Sequence, residues 1–168
     1  IHRENRMETQ DLIREEHRIS PRLLPKSTIK LHLGCGLRKI HGYINIDLRK
    51  EVNPDRVDDI TKLDTVEDNT VDIIYASHCL EHLKREEALK ALSIWFSKLK
   101  GCGTLRISVP DIEQWLNLYR ITGNFHLIHG PLWGKQTHSS DFHYTGWDYT
   151  LLREDLLSTG FSSVERYN

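Results

Sequence analysis

Glycines, carboxylates and histidines stand at the ends of apolar segments in this chain, where a sheet would deliver them to one rim. Leu33-Gly34-Cys35-Gly36 closes an alternating stretch, Ile29 to Leu33. Glycines in such a turn let main chain come close to a ligand, because no Cβ intervenes. Asp47 lies in a second stretch, Tyr43 to Leu48, where a carboxylate can accept hydrogen bonds from both hydroxyls of a ribose. Asp59-Ile60 follows a third and suits the exocyclic amine and ring edge of an adenine. A fourth, Val71 to Ala76, runs into Ser77-His78-Cys79-Leu80-Glu81-His82. Successive segment ends of this kind make the rim that an adenosine-bearing cofactor needs. A dinucleotide fits poorly, since the third glycine beside its pyrophosphate would fall at Lys39. A nicotinamide oxidoreductase is disfavoured on that ground. Taken singly, Asp47 and Asp59 are turn formers, and Cys35 and Cys79 are small buried residues rather than nucleophiles.

Ten histidines are many for 168 residues, and His126, His129, His138 and His143 fall between positions 124 and 149 among glycines and aromatics. A stretch this long read without regular structure is usually functional or mobile. Three uses compete. Asp141, His143 and Tyr144 can line an acceptor pocket, with His143 or His78 as general base. Such a base adds ~10²–10⁴-fold only where the nucleophile must lose a proton. Alternatively Asp141 and His143, alternating as on a strand, join His138 or His129 around a metal. No H-x-x-x-H pair occurs among the histidines of this segment to support that, and no metal is expected. In the third use the histidines cap backbone groups of a packed loop. His82 is expected to pack beneath the site and bond main chain.

Placing these groups requires strands that feed turns at one end. Alternation predicts strands over 29–33, 43–48, 56–60, 71–76 and 104–109. Between the last two, Leu89, Leu92, Phe96 and Leu99 recur at helical spacing, with Glu86 and Glu87 early and Lys98 and Lys100 late. Gly101 would supply a left-handed stop. Asp111 and Gln114 have capping-box spacing and open a helix whose face, Ile112, Trp115, Leu116 and Tyr119, is expected in the core. A helix over about 150–158 stops at Gly160, and 161–166 reads as a final strand. Strands alternating with helices imply an α/β, Rossmann-like, doubly wound and mostly parallel sheet with helices on both faces. The interval from Gly36 to Asp47 leaves no room for a full crossover helix. Residues 1–28 read as a polar extension carrying a thin helix over 5–19, and 29–168 as one domain.

Length and composition fit a single globular domain. No apolar run approaches the ~18 residues of a spanning helix, and the first twenty residues lack the apolar stretch of a secretory signal. A net charge of -1 removes electrostatic attraction as an argument for nucleic acid or anionic membrane, so neither is expected as a partner. Cys35, Cys79 and Cys102 form no C-x-x-C pair, and a reducing, cytoplasmic setting is the default.

The ordered series L-H-L-G-C-G, Y-I-N-I-D-L, E-D-N-T-V-D-I-I-Y-A-S-H-C-L-E-H-L and L-R-I-S-V-P-D resembles the class I S-adenosylmethionine-dependent methyltransferases, especially a compact bacterial branch, over about residues 29–166. Their cofactor has no phosphate and accepts a turn without a third glycine. The resemblance implies that Leu33, Gly34, Cys35 and Gly36 contact the methionine part of S-adenosylmethionine. It implies Asp47 on the ribose, Leu48 beside the adenine, Asp59 and Ile60 at the adenine edge, and Ser77 and His78 under the sulfonium. Methyl transfer follows from the resemblance, and the near-neutral charge with the polar, aromatic stretch at 124–149 points to a small-molecule or saccharide-type acceptor. The alternative is a non-catalytic module that keeps the cofactor fold with a filled acceptor pocket. Two departures stand out. His32 occupies the place of an acidic residue two before the first glycine. One closing strand stands where the family has an antiparallel pair, so the sheet has a strand fewer or the chain is cut short.

Overall fold

Short apolar runs pair side by side into one sheet whose strands all point the same way. The computed structural model describes residues 28–137 and 140–167, so the expected 5–19 helix and His138 lie outside the described residues. Strands β1 (Lys30–Leu33), β2 (Ile44–Asp47), β3 (Arg56–Val57), β4 (Val71–Ser77) and β5 (Leu99–Ser108) lie in the order β3-β2-β1-β4-β5. Leu31, Leu33, Ile46, Ile74 and Ala76 are fully buried along the central strands. Strand order reverses between β1 and β4, and the carboxyl ends there open the crevice in which such sheets bind ligands. Register sets the level of that crevice. Leu33 pairs with Ile46 and with Ala76, so Gly34, Asp47 and Ser77 stand side by side at the carboxyl ends of β1, β2 and β4.

Residues 34–43 join β1 to β2 through turns with no helix, as the short interval requires. Asn45 replaces the missing helical bonds. Its Oδ1 accepts the Ile40 N–H at 2.8 Å, and its Nδ2 donates to the Ile40 and Tyr43 carbonyls and to Asp55. The third expected strand shrinks to two residues, Arg56–Val57, which puts Asp59 in a turn.

Helix α1 (Arg85–Lys98) buries Ala88, Ala91, Leu92 and Trp95. Sheet pairing ends it, with Leu99 already extended and paired with Val71. Gly101 therefore lies inside β5 and is no left-handed stop. Phe96 faces outward and meets Phe161 edge-on at 5.0 Å.

Helices α2 (Ile112–Thr122) and α3 (His126–Trp133) pack on each other beyond the end of β5. The expected core face of α2 is corrected accordingly: none of its residues is buried, and Leu116 and Tyr119 are exposed. Because α3 occupies part of 124–149, that segment is not wholly irregular. Helix α4 (Tyr149–Thr159) is clamped to α1 by Arg85 on the Asp155 carboxylate, to which the Trp147 indole N–H also donates at 2.7 Å.

The expected final strand is absent. Residues 161–167 are held through side chains instead of ladder bonds: the Tyr149 hydroxyl donates to the Val164 carbonyl, and the Tyr167 hydroxyl to that of Ile107. Among the described residues no helix is long and apolar enough to cross a membrane.

Candidate functional site

Two turns and one carboxylate form the first half of the crevice. Gly34 and Gly36 adopt φ of +61° and +51°, a region L side chains rarely enter. A Cβ on Gly34 would lie 2.6 Å from the Cys79 Cβ, so glycine is what lets the turn after β1 press against the turn after β4. The Gly36 N–H donates to Asp47 Oδ2 at 2.8 Å, and the Arg49 N–H to Oδ1 at 2.9 Å. Burial pushes the Asp47 carboxyl up, but the main-chain N–H groups of Arg49 and Gly36 and the Arg49 guanidinium outweigh it and hold it below the ordinary value. Arg49 Nε also donates to Oδ1 at 3.2 Å, so of about four acceptor sites on the buried, ionised carboxylate one, on Oδ2, is left for a further donor. Next to it Leu48 is exposed, an apolar side chain able to cover one face of a base.

The end of β3 joins this group through the Asp58 N–H, which donates to the Asp47 carbonyl at 3.2 Å. Asp59 follows with its Oδ1 accepting the Thr61 N–H and hydroxyl. Its carboxyl too is pushed up by burial and brought below the ordinary value by Thr61 and Lys62. The Ile60 carbonyl accepts the Trp95 indole N–H at 2.7 Å, which fixes the main chain beside Asp59. The ends of β1, β2 and β3 are thus tied together by the Gly36 N–H on the Asp47 carboxylate and the Asp58 N–H on the Asp47 carbonyl, with Asp59 next in the chain.

Cys35 and Cys79 are buried, and burial raises both thiols, with nearby Asp47 adding to the effect. His32 takes no part in the crevice: it is buried in the sheet, with Nδ1 3.0 Å from Asn45 Oδ1. The sequence reading missed Arg49. Its Nη2 lies 3.6 Å from where a Gly36 Cβ would stand, so a cation overhangs the glycine turn.

The donor set fits S-adenosylmethionine. It offers an ionised carboxylate at ribose level, an apolar side chain beside it and a guanidinium for a free carboxylate.

The second half surrounds His78, a non-glycine residue at φ 52°. Such a conformation costs about 1–3 kcal/mol and persists where surrounding structure imposes it. Here the His78 N–H donates to the Ser108 carbonyl at 2.9 Å, and its Nδ1 lies 3.0 Å from Glu81 Oε1. The bond to Glu81 raises the imidazole above its ordinary value, against partial burial.

A cleft of about 580 Å³ opens there, lined among others by His78, His82, Trp115, Lys135, Asp141 and His143. Three of the four expected catalytic side chains therefore share it. Tyr144 does not: its exposed ring stacks on Phe142, and only its N–H engages the site, donating to the Glu81 carbonyl at 2.9 Å. The sequence reading also left Glu81 without a role. It is 1% exposed, and its position beside two histidines was the available signal. His82 bonds main chain as expected, through Nδ1 and the Phe142 carbonyl.

No family model matches the chain, and neither does any curated protein. Solved structures do. A SAM-dependent methyltransferase from Archaeoglobus fulgidus is 20% identical, with a TM-score of 0.59 over 83% of this chain and 64% of that one. A complex of the Haloferax volcanii Trm112 methyltransferase activator with a protein described as a methyltransferase gives 18% identity, TM-score 0.56, and coverage of 80% and 61%. The small RNA methyltransferase HEN1 gives 17% identity, TM-score 0.55, and coverage of 94% and 23%. The chain spans less than two thirds of each of these proteins. The likeness shows the fold: the Rossmann-like α/β fold of S-adenosylmethionine-dependent methyltransferases. It also corrects one expectation. Near-neutral charge was read as excluding nucleic acid, yet the same fold serves a small RNA methyltransferase, so that exclusion is withdrawn.

Proposed function

We propose that residues 29–168 form a domain that binds S-adenosylmethionine across the ends of β1 to β4 and transfers its methyl group to an acceptor held in the cleft at His78. The observation carrying this reading is the adjacency of the two halves. The turn holding Gly34 packs on Cys79, the residue after His78, so the glycine turn and the cleft meet at one place. Leu33 to Gly36 and Arg49 would hold the methionine part, Asp47 the ribose, Leu48 an adenine face, Asp59 and Ile60 its edge, and Ser77 the sulfonium end.

The cofactor supplies a methyl group already activated on a positive sulfur, whose bonding pair returns to sulfur on transfer. The protein then has to aim a nucleophile and exclude water. His78 fits the role of base: Nδ1 faces Glu81, so Nε2 is left to take the proton of a hydroxyl acceptor, and Glu81 stabilises the imidazolium that forms. Asp141 and His143 would position that acceptor. An open cleft at these residues supports an enzyme over the alternative of a non-catalytic binding module. The proposal commits to a hydroxyl as the accepting group. A labelled-methyl assay offering saccharides, small hydroxylated molecules and short RNA reads which scaffold carries it.

Placement in the compact bacterial branch rests on the ordered motifs alone. A reducing compartment is proposed from the three free cysteines. Calorimetry with S-adenosylhomocysteine tests the first step. Binding is expected, and Asp47→Ala should weaken it by about 1–3 kcal/mol. No heat at millimolar ligand would sink the reading.

A further inference from the structure

Glu81, His82 and His143 each bring one ligand-type atom within 4.8 Å of the other two. Methyl transfer as described uses one oxygen of Glu81 and leaves the other idle. That Oε2 is buried and has no hydrogen-bond partner. A buried carboxylate oxygen left bare is costly and calls for a cation or a proton.

Both imidazoles are already turned as metal ligands are. Nδ1 of His82 lies 3.0 Å from the Phe142 carbonyl, and Nδ1 of His143 lies 2.9 Å from the Pro131 carbonyl. A carbonyl only accepts, so Nδ1 carries the proton in both rings and Nε2 keeps the lone pair. The rings meet edge-on with centroids 4.8 Å apart.

Main chain pins the third donor to the first two. The Tyr144 N–H donates to the Glu81 carbonyl, and the His143 N–H to the Trp133 carbonyl at 3.1 Å. Gly134 permits this: a Cβ there would stand 1.8 Å from the Asp141 carbonyl oxygen and 3.2 Å from His143 Cδ2.

We infer that Glu81, His82 and His143 form a binding site for one divalent transition cation, with its open positions toward the cleft that His82 and His143 line. Two imidazoles and a carboxylate suit Zn²⁺, Co²⁺, Mn²⁺ or Fe²⁺, whereas Mg²⁺ and Ca²⁺ take oxygen shells. Donors ~2.0–2.2 Å from one ion lie within about 4 Å of each other, so side-chain shifts below about 1 Å close the set. His78 holds the other Glu81 oxygen and becomes the outer partner that orients the ligand. Among the described residues the exposed His126 and His129 of α3 stay outside the set. The site goes beyond the methyl-transfer reading and does not depend on it, because cation binding is measured without cofactor.

The test is a Co²⁺ titration of the untagged, metal-stripped full chain, followed by visible absorption. One equivalent per chain with ligand-field bands is expected. Glu81→Gln and His143→Gln, checked for folding by circular dichroism, should each lower affinity by more than the ~10–100-fold that outer partners carry. His126→Gln should leave it unchanged. Absence of ligand-field bands in the parent chain overturns the site, and so does full binding in folded Glu81→Gln or His143→Gln. Should Glu81→Gln fail to fold, the parent titration and His143→Gln decide.

Discussion

The two halves of the crevice are held by contacts of different range. On the cofactor side the deciding bonds are short in sequence: Gly36 to Asp47 spans eleven residues, and Arg49 to Asp47 two. On the acceptor side His82 reaches the Phe142 carbonyl sixty residues away, and Glu81 meets Tyr144 across a similar gap. A neighbourhood of strand, turn and strand fixes the first. The second exists only after α2 and α3 have packed and carried the following segment back to the end of β4. The cofactor half should therefore tolerate damage to the histidine segment, while the acceptor half should fail without disturbing cofactor affinity.

The largest effect should come from His78→Gln. Loss of the base is expected to lower methyl transfer by ~10²–10⁴-fold, with S-adenosylhomocysteine affinity kept within about twofold. Parallel loss of cofactor binding would show that the halves are not separable. Next is Gly134→Ala, where the new Cβ would strike the main chain of Asp141 and displace His143. A misplacement near 1 Å should cost turnover about 10²-fold, again with cofactor binding kept. Unchanged turnover would remove His143 from the acceptor side.

The mirror experiment is Gly34→Ala. Its Cβ would meet that of Cys79 in a backbone conformation unfavourable to alanine, so about 1–3 kcal/mol of stability should be lost in urea titrations. Adding Cys79→Gly should recover part of that loss. The smallest effect is in acid. Asp47 is held below its ordinary value in the folded chain, so its stabilisation is complete above the unfolded value of about 3.9 and fades as pH falls through the folded one. Asp47→Asn should flatten the acid branch of apo-protein stability. An identical branch in both proteins would mean the Gly36 and Arg49 bonds contribute nothing.

Legibility follows the same division. Alternation in Ile29 to Leu33 marks a strand, although both of its faces are buried, His32 as well as Leu31 and Leu33, and the glycines and aspartates at the ends of such runs mark a parallel rim directly. Position 101 misled because a glycine after a helical run looks like a stop, whereas pairing of Leu99 with Val71 had already ended the helix. The stripe from Ile112 to Tyr119 misled because periodicity reports amphipathicity without saying what the apolar side meets. Here it meets α3 and solvent. Glu81 passed unnoticed since its place beside two histidines was the one local mark, and its burial is set by packing.

The parallel α/β sheet, the glycine turn, and the carboxylates at the end of β2 and after β3 are legible along the chain, because each is written in residues a few positions apart. That Glu81 is buried with a bare oxygen, that His143 stands beside His82 and that Tyr144 turns away are outcomes of packing. Burial and long-range hydrogen bonding belong to the packed chain, and no pattern along the backbone encodes which distant carbonyl an imidazole will find.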